Sequence, residues 1–455
     1  MWGYSNDGGE LQYNLSPERQ YPQSFEVSGQ WFQIRINLDK IRCYFIISDM
    51  YTKRNLESTL VQASKSFPSI FIGGPRRAGK TTLVKHFFKD YRYVLLDEMD
   101  VRAYASQDPR GFLEEYAPPV IIDEIQNVPE LFSYIKARID KDNKPAQWVL
   151  TGSQQWALMK GISESLAGRI AILHLYPFGI DETLHLAGPG VNDIEGYIAD
   201  LKKATAIKSN KISVGDWILK GGYPESLFSD KATRKLWFKS YVQTYLDKDI
   251  RGNIKETNLR DFERFVQLVA ARTAQEINTA ELSRELGISL PTIKQWLTLL
   301  ESSGLIFFLM PYHNNFGKRI IKTPRCYFMD TGLVCYLVGL QEAEHALKGP
   351  MAGALFETAC VSQLFKRLSV WGDEKKLYFF RSTDGVEVDI LLESGNNIYP
   401  LEIKLSSTIV SSKVRNISKW FKLTGKMKSQ SFVVSTATNI GNVAEGVKNI
   451  HFSLL

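Results

Sequence analysis

The 455-residue chain is poor in the residues that build metal or disulfide frameworks. Its four cysteines, Cys43, Cys326, Cys335 and Cys360, show no C-x-x-C spacing, which argues against a structural zinc site and a disulfide scaffold. The six histidines are scattered as widely. No stretch approaches the ~18 uninterrupted apolar residues of a spanning helix, and the longest apolar candidate, Cys43-Tyr44-Phe45-Ile46-Ile47, reads as a strand. Met1 is not followed by a basic and then an apolar region, so no secretory leader is visible and the cytoplasm is the default location. A charge excess is also lacking. Lys and Arg number 56 against 49 Asp and Glu, a net +7 interleaved along the chain, which permits nucleic acid as a partner without demanding it. No solenoid repeat or low-complexity tract is present. What is there is core material, 44% hydrophobic and 12% aromatic residues, in a length suited to about three domains at roughly 150 residues each.

Residues 1–49 carry no organising motif beyond an alternating piece, Trp31 to Leu38, and the Cys43–Ile47 run. They read as an extension, not native or poorly ordered, with the working protein starting near Met50; a small β appendage is the other reading. An amphipathic helix follows over Tyr51–Ser66, with Leu56, Leu60, Val61 and Ala63 apolar. From Ser69 the rhythm is strand, glycine loop, helix, strand, with later apolar runs Val120–Ile122 and Trp148–Leu150 suited to a buried parallel sheet. The expected fold is α/β, a doubly wound P-loop sheet over residues 50–180. Helical patterns over 181–265 predict a lid, with Gly221-Gly222-Tyr223-Pro224 as an internal turn; a winged-helix-like segment is expected over 266–325 and a mixed α/β domain over 326–455.

Gly74-Pro75-Arg76-Arg77-Ala78-Gly79-Lys80-Thr81 fits G-x-x-x-x-G-K-[ST] in full. Glycines let backbone N–H groups curl toward a triphosphate, and the following helix adds its positive end. Lys80 is expected on the β- and γ-phosphates and Thr81 on Mg²⁺, with Thr82 beside it. Pro118 to Gln126 supplies an apolar strand ending in two acids: Asp123 to hold Mg²⁺ and Glu124 to orient and deprotonate the attacking water. A small-molecule kinase does not need the second acid, so an NTPase is expected, with ATP and Mg²⁺ as ligands. Ser153, after the next strand, is placed to sense the γ-phosphate. Arg169, in Ser165-Leu166-Ala167-Gly168-Arg169, is a candidate arginine finger in its own subunit or a neighbour's; a surface arginine is the alternative.

Together, Gly74–Thr82, Ile121–Gln126, Leu150–Ser153, Ser165–Arg169, Gly221–Glu225 and Tyr241–Ile250 resemble a widespread prokaryotic family with an AAA-type ATPase domain and a C-terminal domain of unknown function. The resemblance runs from about Met50 to the end and leaves residues 1–49 outside. It implies ATP binding and, with Arg169, assembly into a homo-oligomer. Asp247 and Asp249 match a family signature for which the residues themselves suggest no chemistry.

Thr279 is a plausible N-cap for a helix to Leu286, with Gly287 as its stop. Ser289 then caps a second helix to about Ser302, with Pro291 in its first turn. Ile293, Leu297 and Leu300 face inward, leaving Thr292, Lys294, Gln295 and Thr298 to meet a DNA groove or a protein partner. Leu305–Phe308 and Lys318, Arg319 and Lys322 are placed for a wing and phosphate contacts.

The last pattern is a hairpin, Val386–Leu392 and Ile398–Lys404, with both arms alternating. Val386, Val388 and Ile390 share one face and Glu387 and Asp389 the other. A turn at Gly395-Asn396 opposes Asp389 to Glu402 and Glu387 to Lys404. Crowded carboxylates repel, and a divalent cation relieves that repulsion. The pattern resembles the D…E-x-K of the PD-(D/E)XK nuclease fold. That resemblance implies Asp389 and Glu402 as metal ligands with the Ile403 carbonyl, Lys404 beside the nucleophile, and Glu357 as a helix-borne acid. Glu387-Val388-Asp389 departs from the usual Pro-Asp. A solvated salt-bridged hairpin, or a silent relative that only binds a partner, is the competing reading.

Overall fold

The computed structural model describes the backbone of three N-terminal strands and residues 51–152, 165–184, 193–207, 213–245, 259–313, 323–426 and 428–455. The chain divides into two compact units, Met1–Thr52 and Lys53–Leu455. In the first, β1 (Gln23–Val27), β2 (Gln30–Ile36) and β3 (Cys43–Ile46) form an antiparallel meander. The alternating and apolar runs thus become paired strands.

The second unit begins with the amphipathic helix, which spans Glu57–Ser66 and buries Leu60 and Ala63. A five-stranded sheet follows: β4 (Ser69–Gly73), β5 (Arg92–Leu95), β6 (Val120–Asp123), β7 (Trp148–Thr151) and β8 (Ile170–His174), in the order β5-β6-β7-β4-β8. Every pairing is parallel, and the three central strands β6, β7 and β4 are buried on both faces, as such a sheet's interior requires. β4, which feeds the glycine loop, lies between β7 and β8, and β7 separates it from the acid-bearing β6. Phe71, Ile122, Trp148 and Leu150 pack with Phe112, Phe132 and Ile135 in this domain's own core.

The rest of the unit is built on nine strands, in the order β16-β17-β15-β14-β13-β12-β10-β11-β9. They are β9 (Gln275–Glu276), β10 (Ile306–Pro311), β11 (Arg325–Phe328), β12 (Leu377–Arg381), β13 (Glu387–Ser394), β14 (Asn397–Lys404), β15 (Ser431–Ser435), β16 (Gly441–Ala444) and β17 (Val447–His451). The boundary expected at 325/326 therefore cuts through β11. Leu305–Phe308 leads into β10, an interior strand paired antiparallel with β11 and parallel with β12, with Ile306, Phe307 and Leu309 buried. Lid and C-terminal residues share one core, from Phe178, Trp217 and Tyr223 to Phe356, Leu401 and Phe452.

The helix-turn-helix forms over Thr279–Leu286 and Leu290–Ser302. Asn278, one residue before the expected cap, accepts from the Ala280 and Glu281 N–H groups, and Ser289 caps the second helix through the Thr292 N–H.

The β13–β14 ladder runs from Ser394↔Asn397 to Ile390↔Leu401, the register expected from a turn at Gly395-Asn396. The faces differ from expectation. Ile390, Leu392 and Leu401 pack under the helix Ala352–Trp371, while Val388, Leu391 and Ile398 pack under Arg415–Thr424. Val388 and Ile390 thus look in opposite directions. The cause is a bulge: between Tyr378↔Leu391 and Phe380↔Val388 the β12–β13 ladder slips, leaving an extra residue in β13 beside Asp389.

Candidate active site

The glycine loop leaves β4 at its C-terminal end and enters the helix Lys80–Phe87 through Gly79, whose φ of 94° favours glycine. No side chain caps that helix, so its first-turn N–H groups face the loop. At Gly74, φ is 143° and an added Cβ would lie 2.1 Å from the Leu175 carbonyl oxygen. The Lys80 ammonium lies within the loop, donating to the Gly74 and Pro75 carbonyls at 3.0 Å each. Pro75 and Ala78 are buried, Arg76 is half-buried, and Arg77 and Thr82 are exposed. Arg77 reaches Glu225 on the lid at 3.4 Å.

Asp123 ends β6, almost fully buried, and gathers three hydroxyls. Thr81 Oγ1 and the Tyr93 hydroxyl each donate to its Oδ2 at 2.7 Å, and Thr151 donates to Oδ1. Burial, then the Asp123 bond, pushes the Tyr93 phenol well up. Glu124 adopts φ 58° and ψ 46°, a left-handed conformation rare for a non-glycine residue. It turns the chain out of the strand, and Gln126 donates to the Glu124 carboxylate. Thr81 beside Asp123, with Lys80 and orphan N–H groups opposite, is a donor set that fits a Mg²⁺-bound triphosphate.

Arg169 does not join this set within its own chain. It precedes β8 at the sheet's other rim, where its carbonyl accepts from the Ser69 N–H and its guanidinium pairs with Asp140 at 2.6 Å, half exposed. The loop begins past Gly73, four residues up a parallel strand, roughly 13 Å away. Ser153, Asp247, Asp249, Lys318, Arg319 and Lys322 lie outside the described residues. Lys294, Gln295 and Thr298 are exposed, while Thr292 is half-buried and bonded to Ser289 Oγ at 2.7 Å.

Behind the loop runs a buried polar chain. Arg54 donates to the carbonyls of Ala78 at 3.0 Å and Tyr176 at 2.6 Å and pairs with Glu182 at 3.1 Å. The neighbouring Asn55 donates to Asp181 at 2.7 Å. Asp181 in turn receives Gln363 at 2.7 Å and Arg367 at 2.6 Å, both from the helix Ala352–Trp371. The lid motif is tied in as well: the Gly222 N–H donates to Asp330 at 2.6 Å, and a Cβ on Gly222 would meet the Phe178 carbonyl oxygen at 2.2 Å.

Glu357, on the same long helix, looks onto the hairpin. Lys404 Nζ lies 2.7 Å from Glu402 and 3.2 Å from Asp389, and Asp389 accepts the Ile403 N–H at 2.7 Å. Glu387 does not meet Lys404 as expected; it pairs with Arg325 of β11. Arg325 also reaches Glu357 at 3.3 Å, and the Tyr327 hydroxyl donates to Glu357 at 2.7 Å. Burial first, then the Asp389 charge, lifts Glu402 to about 8 and Glu357 to about 7. Burial works against the Lys404 ammonium, but Asp389 and Glu402 outweigh it and raise its pKa. Among the described residues no three His, Cys, Asp or Glu side chains stand where they hold a metal ion. The metal set expected of Glu357, Asp389 and Glu402 is therefore not assembled: Lys404 bridges the two hairpin acids, and Arg325 with Tyr327 occupies Glu357. As arranged, these residues do not fit a divalent cation.

Sequence reasoning missed Arg54, Tyr93, Thr151, Arg325 and Tyr327 in these roles. None carries a local signature; each is recruited by pairing or packing across distant segments.

Residues 66–184 match the model of the AAA domain. Over that span the chain carries an AAA-type, P-loop ATPase-like domain. Two domains of unknown function match downstream, DUF8612 over residues 212–344 and DUF4143 over 352–455. Uncharacterized proteins of Mycobacterium bovis (Mb2031c) and Mycobacterium tuberculosis (Rv2008c) are each 29% identical over 358 residues, spanning 78% of this chain and 74% of theirs. Among solved structures, the Walker-type ATPase PABY2304 of Pyrococcus abyssi covers 63% of this chain and 96% of its own, at 15% identity and a TM-score of 0.39. A RuvB variant of Thermotoga maritima covers 55% and 85%, at 15% identity and a TM-score of 0.27. Among the described residues no helix is long and apolar enough to cross a membrane.

Proposed function

We propose that the protein hydrolyses ATP at the glycine loop and uses turnover to bias the lid and the C-terminal sheet. The carrying observation is the Thr81–Asp123 pair at 2.7 Å, flanked by Lys80 and by a Glu124 turned out of its strand. Lys80 exchanges its carbonyl partners for the phosphates, and Thr81 and Asp123 hold Mg²⁺. Bound there, Mg²⁺ neutralises charge on the triphosphate. Glu124 takes the proton of a water attacking the γ-phosphorus as the bond to the ADP oxygen breaks. Phosphate release by wild type and its abolition in Lys80→Ala tests this; turnover that survives the substitution overturns it.

Coupling follows from the buried chain Arg54–Glu182 and Asn55–Asp181–Arg367, which joins the loop's Ala78 carbonyl to the helix bearing Glu357. Arg169 serves only across a subunit contact, in a homo-oligomer. The C-terminal half is then the output side, a partner-binding module with the exposed Lys294, Gln295 and Thr298 as its DNA or protein face.

A second reading is supported by the meeting of Asp389, Glu402 and Lys404 at one end of the hairpin: metal-dependent cleavage of DNA, which requires Lys404 to swing off its carboxylates. An assay with Mg²⁺ or Mn²⁺ on DNA and RNA, comparing wild type with Asp389→Ala, separates the two. Cleavage lost in the variant supports the nuclease; no cleavage on any substrate leaves the partner-binding module.

A further inference from the structure

Away from both sites, a cavity of about 450 Å³ opens between the lid helix Lys231–Tyr245 and the helix Thr331–Leu337. Leu219, Phe238, Tyr336 and Leu340 give it apolar walls, while Lys231, Arg234 and Lys235 line it and, among the described residues, no carboxylate does. Its size lies in the range of small-molecule sites.

Arg234 decides the chemistry. It is only 9% exposed, and among the described residues no hydrogen bond or ion pair reaches its guanidinium. The nearby carboxylates are engaged elsewhere. Asp230 caps the lid helix, accepting from the Thr233 N–H at 2.8 Å and the Thr233 hydroxyl at 3.1 Å, and Glu342 pairs with Lys231. Both act on Arg234 only through space. A desolvated, unpaired guanidinium is costly, and a planar fork of donors beside apolar walls matches a carboxylate or phosphate on a hydrophobic body.

We propose that this cavity binds a small amphipathic organic anion, its head on Arg234 with Lys235 at the mouth and its apolar body against Phe238 and Leu340. Such a ligand ties the lid helix to the Thr331–Leu337 helix, and its binding is independent of how the phosphate loop or the hairpin works.

The test uses the full chain and calorimetric titration with naphthalene-2-carboxylate, set beside its neutral amide. Wild type is expected to bind the acid about tenfold more tightly than the amide, a difference of about 1.4 kcal/mol. Arg234→Met removes that preference. Lys235→Glu, at an exposed position, weakens the acid and spares the amide, and it carries the test if Arg234→Met does not fold. Failure of wild type to bind the acid, equal affinity for acid and amide, or unchanged acid binding in a folded variant overturns the proposal.

Discussion

Two charged sites in one chain handle their charge in opposite ways. At the phosphate loop, Lys80 rests on main-chain carbonyls and the helix N–H groups have no side-chain cap, so the site is arranged to receive an anion. At the hairpin, Lys404 and Arg325 are already engaged by carboxyl groups, Lys404 by Asp389 and Glu402 and Arg325 by Glu357 and Glu387. A metal entering there has to displace an ammonium; a nucleotide entering the loop meets a Lys80 that donates to the Gly74 and Pro75 carbonyls. Similar inventories of acids and lysines thus give one site ready for its ligand and one closed on itself.

Four measurements sharpen or break that contrast. The largest effect is expected at the loop: Glu124→Gln lowers phosphate release by roughly 10²–10⁴-fold while nucleotide binding persists, read by steady-state turnover and a fluorescent nucleotide titration. Next is the buried link between the halves. Arg367→Met leaves Asp181 without its cation and costs about 3–5 kcal/mol in a denaturant titration; a loss near zero removes the pair as a structural tie.

The third concerns pH. Glu402 and Glu357 hold their protons in the folded chain up to about 8 and about 7, whereas an unfolded chain releases them in the ordinary carboxylate range. Between those ranges the folded state binds more protons, so stability present at low pH is lost as pH rises toward 8. Thermal melts across that window should show the decline in wild type and a shallower one in Glu402→Gln; identical slopes break the account of the hairpin as a strained cluster. The smallest effect is expected at Arg169→Ala, where an exposed ion pair with Asp140 is worth less than ~1 kcal/mol. A fall in turnover there should depend on protein concentration, as a contact between subunits requires; a concentration-independent fall contradicts the rim position.

The parallel strands and the loop were legible because each is local: β4 with Gly74–Thr81, and β6 ending in Asp123-Glu124, are contiguous runs whose residue types allow one reading. The hairpin register was legible for the same reason, since a short turn sets which residues face. Its faces were not. The bulge in β13 depends on β12, and the two-sided burial depends on helices Ala352–Trp371 and Arg415–Thr424 covering both sides. The sheet that joins β10 to β12 was not legible, because that parallel pairing spans nearly seventy residues and leaves no turn signal. Arg325 shows the same limit: nothing beside it in the chain announces Glu357 or Glu387.

By itself, then, the sequence determined a phosphate-binding loop, its acidic strand and a hairpin of set register, because backbone conformation and short-range pairing are written in neighbouring residues. Tertiary structure alone decided that Arg169 stands at the far rim, that lid and C-terminal sheet share one core, and that Arg325 and Lys404 occupy the acids. Those outcomes rest on which distant surfaces exclude water together, and burial of that kind is a property of the packed whole.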